Sequence, residues 1–192
     1  MTRLVVLLAA LAIGLVACGG DSADSGGSDQ TVTPGDVPFD LAFIDAMVPH
    51  HREAIAMAKA AKSRGLSASD LEDLANDIVR SQQLEIDQML GWRQAWFGSR
   101  TLGPIRPEVL GVPEEDLGME HGSADDIAEA ADVDAAFAQL MIPHHEGAIA
   151  MAEVAEDRAQ HQETGDLAAR IIEAQEREID ILEMHASGEH HG

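Results

Sequence analysis

The sequence predicts an all-α fold, a four-helix bundle assembled from two duplicated helical hairpins. Three observations carry this. The chain of 192 residues is rich in Ala, Leu, Ile, Glu and Gln, with 3% aromatic residues and no Tyr, a composition that favours helices over sheets. It contains an internal repeat, because Met47-Val-Pro-His-His-Arg-Glu-Ala-Ile-Ala-Met-Ala58 matches Met141-Ile-Pro-His-His-Glu-Gly-Ala-Ile-Ala-Met-Ala152 at nine of twelve positions. Apolar residues within each copy recur at helical spacing rather than in alternation.

The first element is a leader. Met1-Thr2-Arg3 is a short positive start and Leu4 to Val16 an apolar run, too short to span a membrane but suited to a signal-peptide core. It ends in Leu15-Val16-Ala17-Cys18, which resembles the bacterial lipoprotein processing box and implies removal of residues 1–17 and lipidation of Cys18. Cys18 is the single cysteine, so a disulfide, a second thiol nucleophile and a thiolate metal cluster are all excluded. Residues 18–36 form a Gly/Ser/Asp tether without apolar periodicity, roughly 25 Å in end-to-end distance if flexible.

The folded part is expected over residues 37–187. Repeat one, 37–97, reads as a helix from Pro38 to Ser63 and another from Ser69 to Phe97, with a loop near Gly65. Ser69 as N-cap, with Glu72 three residues on, has the pattern of a capping box. Residues 98–122, with Pro104, Pro107, Pro113 and five glycines, read as a linker. Repeat two, 123–187, opens with a short helix from Ser123 to Ala130, followed by helices from Val133 to Gln160 and from Gly165 to Ala186. The similarity continues through the second helices, where Gln82 and Glu85-Ile86-Asp87 correspond to Gln175 and Glu178-Ile179-Asp180. Residues 188–192 are a tail bearing Glu189-His190-His191.

The linker's length decides the topology. A helix of about 25 residues is roughly 37 Å long, a distance this linker can travel. The second and third long helices are then parallel and the hairpins related by a pseudo-twofold axis, as in ferritin-like folds.

A net charge of −23 sets nucleic acid and electrostatic membrane docking aside, while favouring cations and solubility alike. On the first helix, Met47, His50, His51, Ala54, Met57, Ala58 and Ala61 share one face. Met141, His144, His145, Ala148, Met151, Ala152 and Ala155 do so in the second copy, which points imidazoles and thioethers into the core. Gln82, Glu85, Gln175 and Glu178 interrupt the apolar stripes of the partner helices, so their natural partners are the histidines. Pro49 and Pro143 fall inside the helical pattern, where each frees a carbonyl one turn back and is expected to kink the helix.

The plain reading is that the His pairs are satisfied core residues and the Met residues packing. The alternative is a metal site. Imidazole suits Zn, Cu, Ni or Fe, whereas thioethers select Cu(I) and Ag(I), so His with Met points to Cu(I). Met119, His121, Met184 and His185 add further donors. A di-iron carboxylate centre needs Glu-x-x-His, which none of the predicted helices contains. A nucleophile elbow, phosphate-binding loop and zincin motif are also missing, so nothing in the sequence supports an enzyme.

The pattern Met-[Val/Ile]-Pro-His-His-x-x-Ala-Ile-x-Met-Ala, followed by Ile-x-x-x-Gln-x-x-Glu-Ile, resembles the bacterial family called domain of unknown function 305 over residues 37–97 and 119–187. The resemblance implies an exported ferritin-like domain, some relatives being linked to copper binding and copper resistance outside the cytoplasm. It marks Met47, His50, His51, Met57, Met141, His144, His145 and Met151 as metal ligands, with Glu85 and Glu178 in support. The expected function is therefore a copper-binding envelope lipoprotein that buffers or transfers the metal. The alternative is a helical interaction or stress-protective module with structural His–Glu pairs. The partners expected are a metal ion, the membrane through the lipid alone, and a second copy of the chain if it forms a homo-oligomer. Arg52-Glu53 stands where the second copy has Glu146-Gly147, and the Arg52 charge is expected to weaken cation binding at the first pair.

Overall fold

The computed structural model describes residues 37–187, leaving the leader, Cys18, the tether and the His-bearing tail outside the described residues. Helices α1 (Phe39–Arg64), α2 (Ser69–Phe97), α5 (Val133–Arg158) and α6 (Gln162–Glu183) form a ferritin-like bundle. Short helices α3 (Pro107–Leu110) and α4 (Ala124–Glu129), with a 3₁₀ turn at Glu114–Leu117, lie between the hairpins. No strand occurs among the described residues, nor any helix long and apolar enough to cross a membrane. Helices α1 and α2 pack as one hairpin and α5 and α6 as the other, and α1 against α5 joins them.

Both prolines lie inside unbroken helices, as the apolar periodicity requires. The face expected to be buried on α1 is buried throughout, and the corresponding face of α5 likewise. The segment expected as a plain linker folds further than composition suggests. Pro107 starts α3, where its missing N–H needs no partner, and Gly111 ends it at φ 77°, a left-handed conformation that disfavours side chains.

The capping box expected at Ser69 and Glu72 is not formed. Helix α2 begins at Ser69 itself, after Ala68, and no side chain from its own repeat caps it. The turn before it is held instead from the other repeat: the Asp134 carboxylate accepts from the backbone N–H groups of Ser67 and Ala68 at 2.9 and 3.0 Å. The arrangement is reciprocal. Asp40, on α1, accepts from the N–H groups of Gln160 and His161 at 3.0 and 2.9 Å, and so holds the turn before α6. Each buried aspartate sits at the positive end of a helix dipole, which offsets its loss of hydration. The Ser-and-acid box is found at α4, between Ser123 and Asp126.

These contacts fix the topology. The start of α1 lies at the end of α5, and the start of α5 at the end of α1, so the two are antiparallel. Helix α2 therefore runs parallel to α5, and the connection between them crosses the length of the bundle, as predicted. Leu110, on α3, is held by Arg158 at the end of α5, while Arg64 at the end of α1 donates to the Ala128 and Ala130 carbonyls around α4. The middle of the crossover must pass the middle of the bundle.

Candidate metal centre

The core consists of two apolar clusters. One gathers Phe43, Met47, Ile86, Met89, Met151 and Ile171, and the other Met57, Leu71, Ile78, Phe137, Met141 and Leu182. Residues between these positions on all four helices are polar: His50 and His51 on α1, Gln82 and Glu85 on α2, His144 and His145 on α5, Gln175 and Glu178 on α6. The repeat thus builds a polar layer across mid-bundle, with Met47 and Met151 in the apolar cluster on one side and Met57 and Met141 in the cluster on the other. All four thioethers are buried.

Within the layer, the rings of His50 and His144 touch, with centroids 3.8 Å apart, so the two pairs form one group rather than two separate sites. His51 and His145 stand outside this contact, 6.4 and 6.5 Å from their sequence neighbours by ring centroid. His51 donates from Nε2 to Glu85 Oε2 at 2.7 Å. His145 Nε2 approaches Glu178 Oε2 to the same 2.7 Å but off the hydrogen-bonding direction, so this is a close approach without a formed bond. His50 donates from Nε2 to the Leu117 carbonyl at 3.0 Å, and since a carbonyl only accepts, the proton of a neutral ring sits on Nε2 and the lone pair on Nδ1. His144 lies 3.9 Å from Glu53, beyond hydrogen-bond reach.

The result is an accumulation of buried, unmatched atoms. Nδ1 of all four histidines, Nε2 of His144 and His145, Oε1 of Gln82 and Gln175, and Oε2 of Glu178 find no hydrogen-bond partner among the described residues. Electrostatics agree with this picture. Burial, reinforced by the neighbouring imidazoles His51 and His145, pushes the His50 pKa down to about 3. Burial and then His50 push His144 well below its ordinary value. Both rings therefore stay neutral at pH 7, the state a metal ligand requires. Among the described residues, no three His, Cys, Asp or Glu side chains converge closely enough to hold a metal ion as they stand.

The other sequence-predicted donors lie elsewhere. Met119 packs half-buried against the core, and His121 is exposed beside Gly118, Glu146 and Gly147. Met184 is exposed and His185 bonds Asp70 at 2.9 Å at the end of the bundle. Arg52, expected to distinguish the repeats by its charge, is exposed and turned away from the layer.

What distinguishes them is the next position. A Cβ on Gly147 would lie 2.2 Å from the Leu117 carbonyl oxygen, so only glycine lets the crossover strand pass there and reach His50. Glu53, its counterpart, is half-buried and faces His144. Sequence reasoning registered the mismatch of Glu53 and Gly147 but not its meaning, and no motif pointed to the Leu117 carbonyl.

Comparison with known proteins follows this geometry. The family model "Domain of unknown function (DUF305)" matches residues 40–186. Among solved structures, CopM in its Cu(II)-bound form is 32% identical, with a TM-score of 0.64 over 78% of this chain and 96% of that one. CopM in its Cu(I)-bound form is 32% identical, with a TM-score of 0.62 over 76% and 93%. A DUF305 fragment from Deinococcus radiodurans is 28% identical, with a TM-score of 0.65 over 80% and 98%. A search of curated proteins gives no match. Two His-bearing hairpins, a crossover and a match through nearly all of the described helices agree: the chain belongs to the DUF305 family.

Proposed function

We propose that the chain binds copper in the mid-bundle layer, as Cu(I) or its soft relative Ag(I), and buffers or hands on the metal outside the cytoplasm. The observation that carries this reading is the set of unmatched imidazole nitrogens. A buried polar atom without a partner costs about 1–3 kcal/mol, so the layer as it stands forfeits an amount comparable to the whole net stability of a domain, about 5–15 kcal/mol. A soft cation accepts those lone pairs without bringing a proton. His50, His51, His144 and His145 are the ligands proposed, with Met47, Met57, Met141 and Met151 as thioether donors from the flanking clusters. Thioethers select Cu(I) over harder ions. Glu85 orients His51 through its Nε2–H, the usual role of a carboxylate behind a metal-ligating imidazole. CopM, a relative solved with Cu(I), Cu(II) and Ag, supports the reading.

The role proposed is binding without turnover. The setting is the outer face of a membrane, reached through lipidation at Cys18, in keeping with the leader sequence. A second reading, a helical interaction module whose His–Glu pairs only fix the core, is favoured by the well-formed His51–Glu85 bond and by the lack of three convergent ligands.

An anaerobic Cu(I) titration of the full chain against a competing chromogenic chelator separates them. The comparison variant carries His50, His51, His144 and His145 all changed to Ala. Tight binding at fixed stoichiometry, lost in a variant of unchanged helicity, is the expected result. Equal weak binding by both proteins would refute the metal reading and leave the interaction module.

A further inference from the structure

The two repeats differ in what meets Nε2 of the inner histidine, His50 in one and His144 in the other. At His50 the corner is closed, because Nε2–H is committed to the Leu117 carbonyl and the strand is pressed on α5, Leu117 against Gly147 and Gly118 against the backbone of Pro143 and His144. At His144 no backbone carbonyl pairs with Nε2 among the described residues. Nε2 of this ring is unmatched and the residue only 2% exposed, and the nearest ionisable oxygen is Glu53 Oε2 at 3.9 Å. The Glu53 side chain is 26% exposed, so the carboxylate links the buried nitrogen to water. It has no other ion-pair or hydrogen-bond partner among the described residues, and burial raises its pKa.

From this asymmetry we infer that Glu53 and Nε2 of His144 form a hard-donor arm of the layer, which takes a divalent ion, Cu(II), and leaves Nδ1 of His144 with the other His and Met donors to the soft ion. The inference rests on the copper reading above and names a second oxidation state and a ligand outside the repeated motif. The distance suits it. Metal–nitrogen and metal–carboxylate bonds are each about 2.0–2.2 Å, so an ion between atoms 3.9 Å apart makes both bonds at a wide angle, or at a narrower one if the glutamate swings by about half an ångström. Two protein donors leave the remaining positions to water, which the exposed side of Glu53 admits. An anionic oxygen stabilises Cu(II) far more than Cu(I), whereas the thioethers do the reverse. The position is also reachable, since an ion arriving from solvent meets Glu53 before any imidazole.

The test uses the purified full chain and two probes, aqueous Cu(II) and anaerobic Cu(I), each against a chelator selective for that state. Three proteins are compared: the unaltered chain, Glu53→Gln and His144→Ala, with far-UV circular dichroism confirming equal helicity. Glu53→Gln should weaken Cu(II) at least tenfold and leave Cu(I) within about twofold. The Cu(II) resonance spectrum should lose its carboxylate character yet keep its nitrogen coupling, and His144→Ala should lose that coupling. Binding of Cu(I) but no Cu(II) by the unaltered chain would overturn this inference and leave the copper reading intact. Equal weakening of both ions by Glu53→Gln would also overturn it, showing charge without donation. If neither ion binds the unaltered chain, both readings fall.

Discussion

Replacing Gly147 by Ala tests how tightly the crossover backbone is pressed on α5. The new Cβ would stand 2.2 Å from Leu117 O, 2.3 Å from Leu117 C and 2.6 Å from Gly118 N. These are main-chain atoms and cannot rotate aside, and comfortable carbon contacts begin near 3.5 Å, so the crossover strand must retreat by about 1 Å or more. Overpacking of this kind costs about 1–3 kcal/mol. The retreat also breaks the 3.0 Å bond from His50, leaving a buried N–H unmatched for about 1–3 kcal/mol more. Against this, Ala gains about 1 kcal/mol of helix propensity over Gly. The net loss is about 3 kcal/mol, or roughly 6–12 °C in Tm for a domain of this size. Urea and thermal unfolding followed by circular dichroism measure it. Gly91→Ala is the control, because that helical glycine has nothing within 4 Å of a built Cβ and should gain stability. Equal stability of the Gly147→Ala and Gly91→Ala proteins would refute the packing argument.

Asp134→Ala should free the turn before α2 and cost about 1–3 kcal/mol in urea unfolding, with faster amide exchange at Ser67 and Ala68 although neither residue has changed. Breaking the buried Asp45–Arg93 pair, 2.7 Å at its closest, by Arg93→Met alone should cost about 3–5 kcal/mol, whereas Arg93→Met with Asp45→Leu should recover much of it. Stability should fall with acidity well above the carboxylate range. His50 takes its proton near the ordinary 6.5 when unfolded but only at about 3 when folded, so the unfolded state binds more protons between these values. Unfolding free energy should drop by about 1.4 kcal/mol per pH unit below 6.5, His144 acting in the same direction, and urea titrations of His50→Gln should show a shallower slope. Asp134 is also lost on acidification: burial raises its pKa, but hydrogen bonds from Ser67 and Ala68 outweigh this and hold it below 3.8, so its contribution disappears only below that pH.

Much of the fold was legible because repetition reinforces periodicity. The four long helices, the interior prolines, the burial of His50, His51, His144 and His145, and the parallel run of α2 and α5 all follow from spacing and linker length. The helix starts were not legible. Ser69 and Glu72 have the right types at the right interval, yet α2 begins one residue earlier than that box requires, with Ala68 in the flanking position. The turn before it is held by Asp134 from sixty-odd residues away, a tertiary partner that no local pattern announces. The site was half legible for a related reason. Residue types in the repeat name the imidazoles and the carboxylates that face them, but the strongest polar contact of His50 is a main-chain carbonyl, and backbone groups leave no trace in composition. Only the glycine that makes room for the strand betrays it.

The asymmetry of the layer follows from the topology itself. Two like hairpins about a pseudo-twofold axis would offer two like corners, one at His50 and one at His144. A chain of two hairpins has a single connection, and among the described residues it supplies a backbone acceptor at His50 and none at His144. The covered corner demands a residue without a side chain where the strand passes, which is Gly147, and supplies a neutral carbonyl acceptor to the ring beneath. The uncovered corner is under no such constraint, and a glutamate there meets an imidazole with a free nitrogen. Duplication thus provides two equivalent pairs of imidazoles, and the crossover makes His50 and His144 inequivalent: His50 is committed to the protein's own backbone, while His144 keeps a nitrogen for something else. Exchanging Glu53 and Gly147 between the repeats would not simply move the open corner, because a side chain at position 147 would meet the Leu117 backbone and push the strand off His50 as well.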